Sequence, residues 1–469
     1  MKSNNTIEKI HQASMKILER TGMVFHHAEA VDLCRKSGLK VDGKKVFFSE
    51  KQIMDLLAQA PRSFKITPYN PDRAIVVGRN QTNWGTAGGA SNMLLADSTH
   101  RPGLFSDFVD FFKLGQVAPQ LRIINTLVIQ ASDVPLEQFA ALNFFYGAQL
   151  SDKVLMALNG DQATNSKVLA VAAALYGGAA ALAEQPRFFS VVSTISPLQM
   201  DANSVDSLID WARHGQPSAI SPCTMAGSTG PMTLAGSLAI SNAETLAGLA
   251  LAQVVRPGAP VVYGCQSTTS DPRTAAIAIG APEQAVFISL GAALARHYGL
   301  PSRGGGLLTD ADRVDVQSGY EAMMTGLFTR QAGHDLVLHA AGIMGGYAAV
   351  SFEKFMVDLE ILGLIERACT APDLGDDDFA LEIIDELGIE GGYLTHRHTL
   401  KNCRKNWTPK LSYRGHLSGP TNDRLMTNRM AAEKKKLMEQ YQPPDLPSGA
   451  IKDMKSALSK IGITVEALF

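Results

Sequence analysis

The sequence predicts an α/β protein whose main body is a TIM (β/α)8 barrel. From residue 82 onward, a short strand-like run followed by a longer helix-like run occurs eight times. Strands that alternate with helices in this way form parallel βαβ units, and eight such units can close into a barrel. The span from residue 82 to residue 343 matches the roughly 250 residues typical of this fold. A doubly wound open sheet is the alternative, disfavoured because no GxGxxG or Walker A motif opens any unit.

The eight predicted strands are apolar or rich in glycine, and each is followed by a helical candidate. The strand-like runs are residues 82–90, 122–130, 154–160, 187–196, 218–227, 260–268, 301–308 and 336–343. The helical candidates are residues 106–117, 136–150, 165–183, 203–215, 232–255, 282–298, 312–332 and 351–367. Function in a barrel lies where strands end and the following loops begin, so the carboxyl ends of these runs are the predicted site.

Extensions flank the barrel on both sides. Residues 1–81 are predicted as an N-terminal extension of helices and small β elements, residues 82–367 as the barrel, and residues 368–469 as a C-terminal extension. Ser49 is placed to cap a helix whose apolar stripe stops at Pro61. The C-terminal extension changes from acidic to basic, and its later KKK run is typical of a solvated helix face.

The overall charge is close to neutral, because 43 lysines and arginines stand against 45 aspartates and glutamates for a net charge of −2. This balance excludes a broad electrostatic attraction to nucleic acid or to an anionic membrane. With 45% hydrophobic residues, the chain is not predominantly disordered. Its five cysteines form no CxxC pair, which argues against a disulfide framework and a zinc ribbon.

The N-terminus is too polar for a secretory signal, and no uninterrupted apolar run reaches the roughly 18–20 residues of a membrane span. We therefore expect a cytoplasmic protein without a nucleic-acid or membrane partner. The low charge and the 41 glycines predict much buried surface and close backbone packing, as in a barrel or an oligomer. We accordingly expect a homo-oligomer.

The predicted barrel mouth carries aromatic side chains and amides, and few acids. Trp84, Tyr263 and Tyr347 lie in or just after three of the strand-like runs, and Gln266 lies close to Tyr263. Aromatic rings around a cavity are what binding of a quaternary ammonium ion requires. No pair of carboxylates suited to glycoside hydrolysis and no GxSxG motif is visible, which disfavours those enzyme classes.

Two titratable residues are candidates for a catalytic role. His339 lies in the eighth run, and Glu244 lies inside an apolar helix, where a buried carboxylate needs a partner. Cys223 and Cys265 lie in the fifth and sixth runs, so together with His339 they could bind a catalytic zinc ion. Small cysteines buried in the core are the ordinary alternative, and a zinc-dependent TIM-barrel enzyme stays open.

Several stretches resemble the trimethylamine methyltransferase family, called MttB-like, over nearly the whole chain. One is HYGLPSRGGGLLTDADRVDVQSGYEAM, another is LHAAGIMGGYAAVSFEKFMVDLEILG, and others lie at residues 10–43, 64–78, 226–253 and 398–414. The family is similar in fold to TIM-barrel methyltransferases that methylate a cognate corrinoid protein. The resemblance implies that the corrinoid (cobalamin) is carried by a separate partner protein, because this chain has no DxHxxG-like cobalamin-binding signature.

The archaeal trimethylamine enzymes of this family carry pyrrolysine in the barrel, whereas this chain has ordinary residues throughout. The corresponding stretch, near Gly304–Leu307, offers only glycine and leucine. The resemblance therefore implies the non-pyrrolysine branch, whose substrates are quaternary amines. Glycine betaine is the first choice, and proline betaine, carnitine, γ-butyrobetaine and trimethylamine are the alternatives.

Under this resemblance, the trimethylammonium group is expected against Trp84 and Tyr263. The carboxylate of a betaine is expected at Arg303, with Arg313 as the second candidate. His339 and Gln266 are expected on the carboxylate side of the substrate.

Glycine-rich loops at the strand ends allow a flat corrinoid to approach the backbone closely. The expected contacts are Gly304, Gly305, Gly306, Gly345 and Gly346. The alternative from another class of protein is a betaine-binding module without catalytic activity.

Overall fold

A closed barrel of eight parallel strands forms the main body, which confirms the predicted fold class. The computed structural model describes residues 4–79, 81–415 and 425–465. We number the barrel strands β1 to β8 in chain order: Asn83–Gly85, Leu121–Asn125, Val154–Ala157, Phe189–Val192, Ser218–Ile220, Val261–Cys265, Ser302–Gly304 and Leu336–Val337. Each strand pairs in parallel with its neighbours in the chain, and β8 pairs with β1 to close the barrel, with Leu336 opposite Asn83.

One long helix follows each barrel strand. These helices, α1 to α8, are Phe105–Val117, Leu136–Leu150, Gln162–Tyr176, Ala202–Arg213, Leu234–Val255, Pro282–His297, Val316–Ala332 and Phe352–Ala368. The single helix predicted over residues 165–183 is in fact two, because Gly177 adopts a left-handed conformation (φ +86°) and a short helix, Ala179–Ala183, starts after Gly178. Glycine favours this conformation because it has no Cβ atom, and it ends helices for that reason.

Helix α5 is long and apolar enough to cross a membrane, the one such helix among the residues that the structure describes. It lies inside the protein, however, and 83% of its most apolar window is buried. Its Asn242 donates a hydrogen bond to the Tyr298 hydroxyl at 2.9 Å. The packing therefore identifies α5 as a core helix of the barrel domain.

The N-terminal extension packs onto the barrel. Its helices are Asn4–Arg20, Ala28–Lys36 and Glu50–Leu57, and small strands lie at Met23–Phe25, Lys40–Asp42 and Lys45–Phe47. Ser49 caps the third helix and forms a capping box with Gln52, as the sequence predicts. The first helix is held against α5, since Ser14 Oγ donates to the carbonyl of Ala239 at 2.9 Å.

A short hairpin closes the N-terminal end of the barrel. Its strands, Phe64–Ile66 and Ile75–Val77, are antiparallel. Asn83 Nδ2 of β1 donates to the carbonyl of Val76 at 3.0 Å, which fixes the hairpin beneath the strands. One apolar cluster joins the hairpin to the inward-facing side chains of the strands: Ile66, Ile75, Val77, Ile123, Val154, Met156, Phe189, Ala219, Val262, Leu336 and Leu338. The cluster fills the lower barrel, so a ligand would enter from the carboxyl ends of the strands.

The loops at that carboxyl end form two small sheets. The first joins loops after β1 and β8, with strands Asn92–Leu94, His100–Pro102, Ile343–Met344 and Ala349–Val350. The second joins loops after β5 and β6, with strands Met225–Ala226, Thr268–Ser270 and Ile277–Ala278. These sheets give the loops around the barrel mouth a hydrogen-bonded framework.

The C-terminal extension is helical. Its elements in the described residues include Asp376–Phe379, Leu381–Leu387, Arg397–Asn402, Met426–Glu439 and Ala450–Lys460. The last two helices bury Met430, Leu437, Met454 and Leu458 against the body of the protein. The short helices before them bury none of their described residues.

Candidate active site

Arg303 lies at the centre of the barrel mouth. It projects inward from the middle of β7 and is only 3% exposed. Its Nη1 donates to Ser221 Oγ at 2.9 Å and to Gln266 Oε1 at 2.6 Å, and these two residues follow the ends of β5 and β6. Burial lowers the pKa of the guanidinium from its ordinary value, yet arginine stays protonated in proteins.

This buried cation has no carboxylate partner among the residues that the structure describes. Both acceptors on Arg303 are neutral, and its buried Nε has no hydrogen-bond partner there. A buried charge without a counter-ion costs free energy, and a bound anion would remove that cost. Arg303 is therefore the candidate anion-binding residue of the mouth.

Three other residues singled out from the sequence join Arg303. Gln266 Nε2 donates to the Tyr347 hydroxyl, and the ring of Tyr347 lies 4.9 Å from the ring of His339, tilted by 54°. The four side chains reach this place from β7 and from the loops after β6 and β8. The structure thus brings together Arg303, Gln266, Tyr347 and His339 at the barrel mouth.

His339 is a neutral imidazole in this setting. Burial, and to a smaller extent the nearby charge of Arg303, lowers the pKa of His339 to about 3. Its buried Nδ1 has no hydrogen-bond partner among the described residues. His339 and Tyr347 also adopt left-handed conformations, with φ of +58° and +75°. Such strain in residues other than glycine clusters at functional sites.

Cys223 lies near Arg303 as a protonated thiol. Burial raises the pKa of Cys223 to about 11, and Arg303 lies close enough to oppose this shift. Cys265 is separated from it, because its sulfur lies on the outer side of β6, 4.0 Å from Ser241 Oγ and from the carbonyl of Phe287. No group of three metal-ligating side chains occurs in the described part of the chain, so Cys223, Cys265 and His339 do not form the zinc site considered above.

Trp84 and Tyr263 do not line the mouth, and their predicted role as a cage is wrong. The Trp84 indole lies between the barrel and α8, where Nε1 donates to Glu366 Oε1 at 2.7 Å. The Tyr263 hydroxyl donates to Asn242 Oδ1 of α5 at 2.8 Å. Side chains alternate along a strand, so the inward positions of β6 are Val262 and Gly264, and Tyr263 points outward.

Arg313 is also placed elsewhere. It lies on the surface, 58% exposed, and pairs with its neighbour Asp312, whose Oδ1 is 3.0 Å from Nε. An exposed arginine with its own carboxylate has no unmet charge to offer a ligand. The structure therefore does not support Arg313 as a substrate-binding residue.

Glu244 is buried and fully occupied by the protein. Its carboxylate accepts hydrogen bonds from the hydroxyls of Thr194 (2.5 Å) and Ser196 (2.8 Å) and from the backbone N–H of Leu198 (2.7 Å). Burial raises the pKa of Glu244, and these hydrogen bonds oppose that shift. Glu244 therefore positions the loop after β4 and is not placed as a catalytic residue.

The predicted glycine contacts fall into two groups. Gly304, Gly305 and Gly306 are buried, and a Cβ atom at residue 305 would lie 1.8 Å from Thr329 Oγ1. These three glycines allow close packing of the β7 loop, which leaves no surface for a corrinoid. Gly345 and Gly346 are partly exposed beside the mouth and remain predicted contacts.

A buried ion pair, missed in the sequence, holds two loops of the mouth together. The Lys354 ammonium donates to the Asp358 carboxylate and to the carbonyl of Leu307, which follows β7. Asp358 Oδ2 also accepts from the backbone N–H of Gly342 at 2.8 Å, in the loop after β8. Burial raises the pKa of Asp358. The spacing of four residues between a lysine and an aspartate on one helix is the signal that could have revealed this pair.

Comparison with known proteins agrees with this architecture. The family model described as trimethylamine methyltransferase (MTTB) matches residues 1–460. The chain belongs to the trimethylamine methyltransferase family. A glycine betaine methyltransferase of Desulfitobacterium hafniense (strain Y51) is 35% identical over 447 residues, which cover 95% of this methyltransferase and 93% of the relative.

More distant relatives and a solved structure extend the comparison. The proline betaine:corrinoid methyltransferase of Eubacterium limosum is 29% identical and covers 87% of this chain, or 86% of the relative. The crystal structure of the Methanosarcina barkeri monomethylamine methyltransferase (MtmB) superposes with a TM-score of 0.54 at 12% identity. That match covers 92% of this chain and 86% of the other, and at such low identity it supports the fold alone.

Proposed function

We propose that this methyltransferase takes a methyl group from glycine betaine, or from another quaternary amine that carries a carboxylate. The acceptor in this proposal is the Co(I) corrinoid of a separate protein, and the released product is the tertiary amine, dimethylglycine in the case of glycine betaine. The observation that carries the choice of substrate is the buried Arg303, which has two neutral partners and no carboxylate among the described residues. The names of the relatives that act on glycine betaine and proline betaine support it.

The carboxylate end of the substrate binds at Arg303. A carboxylate bound there gains charge-assisted hydrogen bonds from the guanidinium, whose Nε is free of protein partners in the described structure. Gln266 holds the guanidinium from one side through Oε1 and the Tyr347 hydroxyl through Nε2. These contacts orient the donor before the anion arrives, which reduces the entropy lost on binding.

The ammonium end lies toward Tyr347 and His339. Their rings offer the faces that attract a quaternary ammonium ion, in place of Trp84 and Tyr263. His339 is thereby assigned to the ammonium end, and not to the carboxylate side expected from the sequence. Because His339 is neutral, it adds no positive charge that would repel the substrate. A methyl group on the far side of the nitrogen then points out of the mouth, beside Gly345 and Gly346.

The protonation states of the side chains at the mouth suit this methyl transfer. The carbon–nitrogen bond breaks with its electron pair left on nitrogen, so a quaternary ammonium leaves as a neutral tertiary amine without a general acid. The corrinoid supplies the nucleophile, and this chain supplies orientation and a dry, polar surface. Burial raises the pKa of Cys223 and Tyr347 and lowers that of His339, so none of these groups changes charge near neutral pH.

The proposal is tested by following methyl transfer to the Co(I) form of a purified corrinoid partner by absorbance, with glycine betaine, choline and trimethylamine as donors. Choline is the matched control, because it carries the same trimethylammonium group with a hydroxyl in place of the carboxylate. We expect transfer from glycine betaine to be faster than from the other two. Equal rates with choline or trimethylamine would refute a carboxylate-binding role for Arg303.

Proline betaine, carnitine and γ-butyrobetaine in the same assay rank the carboxylated quaternary amines by length and shape. Tight binding of a betaine without transfer from any of these donors would favour the betaine-binding module.

A further inference from the structure

Residues 371–406, which we call the arm, leave the barrel at the end of α8 and return to the same helix. Trp407, directly after the arm, lies against α8, since a Cβ atom at Gly363 would meet its Nε1 at 2.8 Å. The backbone N–H groups of Lys410 and Ser412 then donate to the two carboxylate oxygens of Glu360, each at 3.0 Å. Both ends of the arm are thus fixed on one element, and the chain between them projects from the body.

The arm has secondary structure but no core of its own. It contains the short helices Asp376–Phe379, Leu381–Leu387 and Arg397–Asn402 with 3-10 turns between them, yet none of its described residues is buried. Isolated helices shorter than about 12 residues are marginal in water, so such a segment needs a surface to pack on.

Large apolar side chains of the arm stand in solvent. Leu394 is 87% exposed and Leu400 is 77% exposed. The exposed set of the arm is Leu374, Phe379, Leu381, Ile384, Ile389, Tyr393, Leu394 and Leu400. A concentration of apolar surface on this scale marks a protein interface.

The charges of the arm are divided between two halves. The acidic half, residues 371–390, has no lysine or arginine and carries Asp373, Asp376, Asp377, Asp378, Glu382, Asp385, Glu386 and Glu390. The basic half, residues 391–406, has no aspartate or glutamate and carries Arg397, Lys401, Arg404 and Lys405. Among the described residues, no ion pair joins these four cations to a carboxylate, although His396 lies 3.6 Å from Glu386.

We propose that the arm binds the arm of a second copy of this chain, antiparallel about a twofold axis. In a twofold interface each surface meets itself, so the acidic half of one copy lies against the basic half of the other, twice. The exposed apolar side chains occur in both halves and become buried in the same contact. The arm carries both signs of charge that the pairing needs, which favours a second copy over an unrelated partner.

Sedimentation velocity or light scattering on the full chain tests this proposal through the mass in solution. The unaltered protein is expected at twice 50.2 kDa, or at an even multiple of that mass if other faces also associate. One variant reverses the acidic half from a net charge of −8 to +4 by replacing six of its acids with lysine: Asp377, Asp378, Glu382, Asp385, Glu386 and Glu390. A second variant reverses the basic half from +4 to −4 by replacing its four cations with glutamate: Arg397, Lys401, Arg404 and Lys405.

Each arm variant alone places like charges against each other, so each is expected at half the mass of the unaltered protein. Mixed in equal amounts, the two variants again oppose unlike charges, and the larger mass is expected to return. The matched control replaces four exposed lysines outside the arm with glutamate and should keep the mass of the unaltered protein: Lys9, Lys16, Lys452 and Lys460. Circular dichroism of every variant verifies that it is folded.

Three results would overturn the proposal: a monomeric unaltered protein, arm variants that keep the full mass, or a mixture of the two variants that stays at half mass. Arm variants that keep the full mass but no longer transfer methyl groups to the corrinoid partner would assign the arm to that partner instead.

Discussion

Lys153 at the closed end of the barrel and Arg303 at its open end are both buried cations without an ion pair among the described residues, and they are held in different ways. At the closed end, Lys153 is 4% exposed, and its ammonium donates to the carbonyls of Gly115 and Ala118, both at 2.7 Å. These carbonyls lie at the C-terminal end of α1, where the helix dipole favours a positive charge. At the open end, Arg303 contacts two neutral side chains and keeps a buried Nε without a partner in the described residues.

The two side chains also differ in how readily they lose their proton. Burial lowers the pKa of Lys153 to about 7, so this lysine can lose its charge at mildly alkaline pH. Arginine does not deprotonate in proteins, so Arg303 stays charged in its pocket. At the closed end, main-chain carbonyls satisfy Lys153, whereas Arg303 at the open end keeps a permanent positive charge without a carboxylate among the described residues.

The largest expected effect is the loss of betaine binding in Arg303→Met. The variant loses the hydrogen bonds between the guanidinium and the betaine carboxylate, so the affinity for glycine betaine should fall on the order of 100-fold. The thermal midpoint should not fall, because the variant removes an unpaired buried charge. Calorimetric titration and scanning calorimetry measure the two quantities. Unchanged affinity would contradict the role given to the mouth.

The same substitution at the closed end, Lys153→Met, is the matched control. Because the pKa of Lys153 is lowered to about 7, the unfolded chain binds more protons than the folded one between pH 7 and 10.5, and stability rises with pH over this range. The variant should lose this contribution and keep its affinity for glycine betaine. Denaturant unfolding at several pH values measures how the free energy of unfolding changes with pH. A loss of betaine affinity as large as that of Arg303→Met would contradict the different roles given to the two cations.

His339→Asn tests the neutral imidazole, and asparagine is chosen because it tolerates the left-handed backbone at this position. The pKa of His339 is lowered to about 3 from 6.5, so the unfolded chain binds more protons between these values and stability falls as the pH drops below 6.5. The variant should show a shallower fall in denaturant unfolding. For the unaltered enzyme, kcat/KM should show no histidine ionisation between about pH 5 and 8. An ionisation in that range that His339→Asn abolishes would contradict the neutral imidazole.

The smallest effect is expected for Trp84→Phe, on the outer face of the barrel. The variant loses the hydrogen bond to Glu366, so the free energy of unfolding should fall by about 1 kcal/mol. Betaine affinity should not change, because the indole does not reach the mouth. A clear drop in betaine affinity, measured by calorimetric titration, would show that Trp84 contacts the substrate after all.

Of the side chains named from the sequence, four lie together at the candidate site and four lie elsewhere, namely Trp84, Tyr263, Arg313 and Glu244. Gln266 and Tyr263 stand three positions apart, and in a regular strand such residues face opposite sides. The alternation therefore already argues against placing both in one cavity, and the observed hydrogen bond of Tyr263 to α5 agrees. Ser221 was missed, although it lies two positions beyond the inward-facing Ala219.

Eight βα units and the caps of several helices are determined by the sequence alone, because periodicity, glycine positions and capping residues act over a few neighbouring residues. Which face of each strand turns inward is decided only when the barrel closes, since both faces of a buried strand are apolar or small. The environment of Arg303 likewise exists only in the tertiary structure. Its two hydrogen-bond partners follow β5 and β6, and its burial without a carboxylate depends on what these and other distant segments place around it.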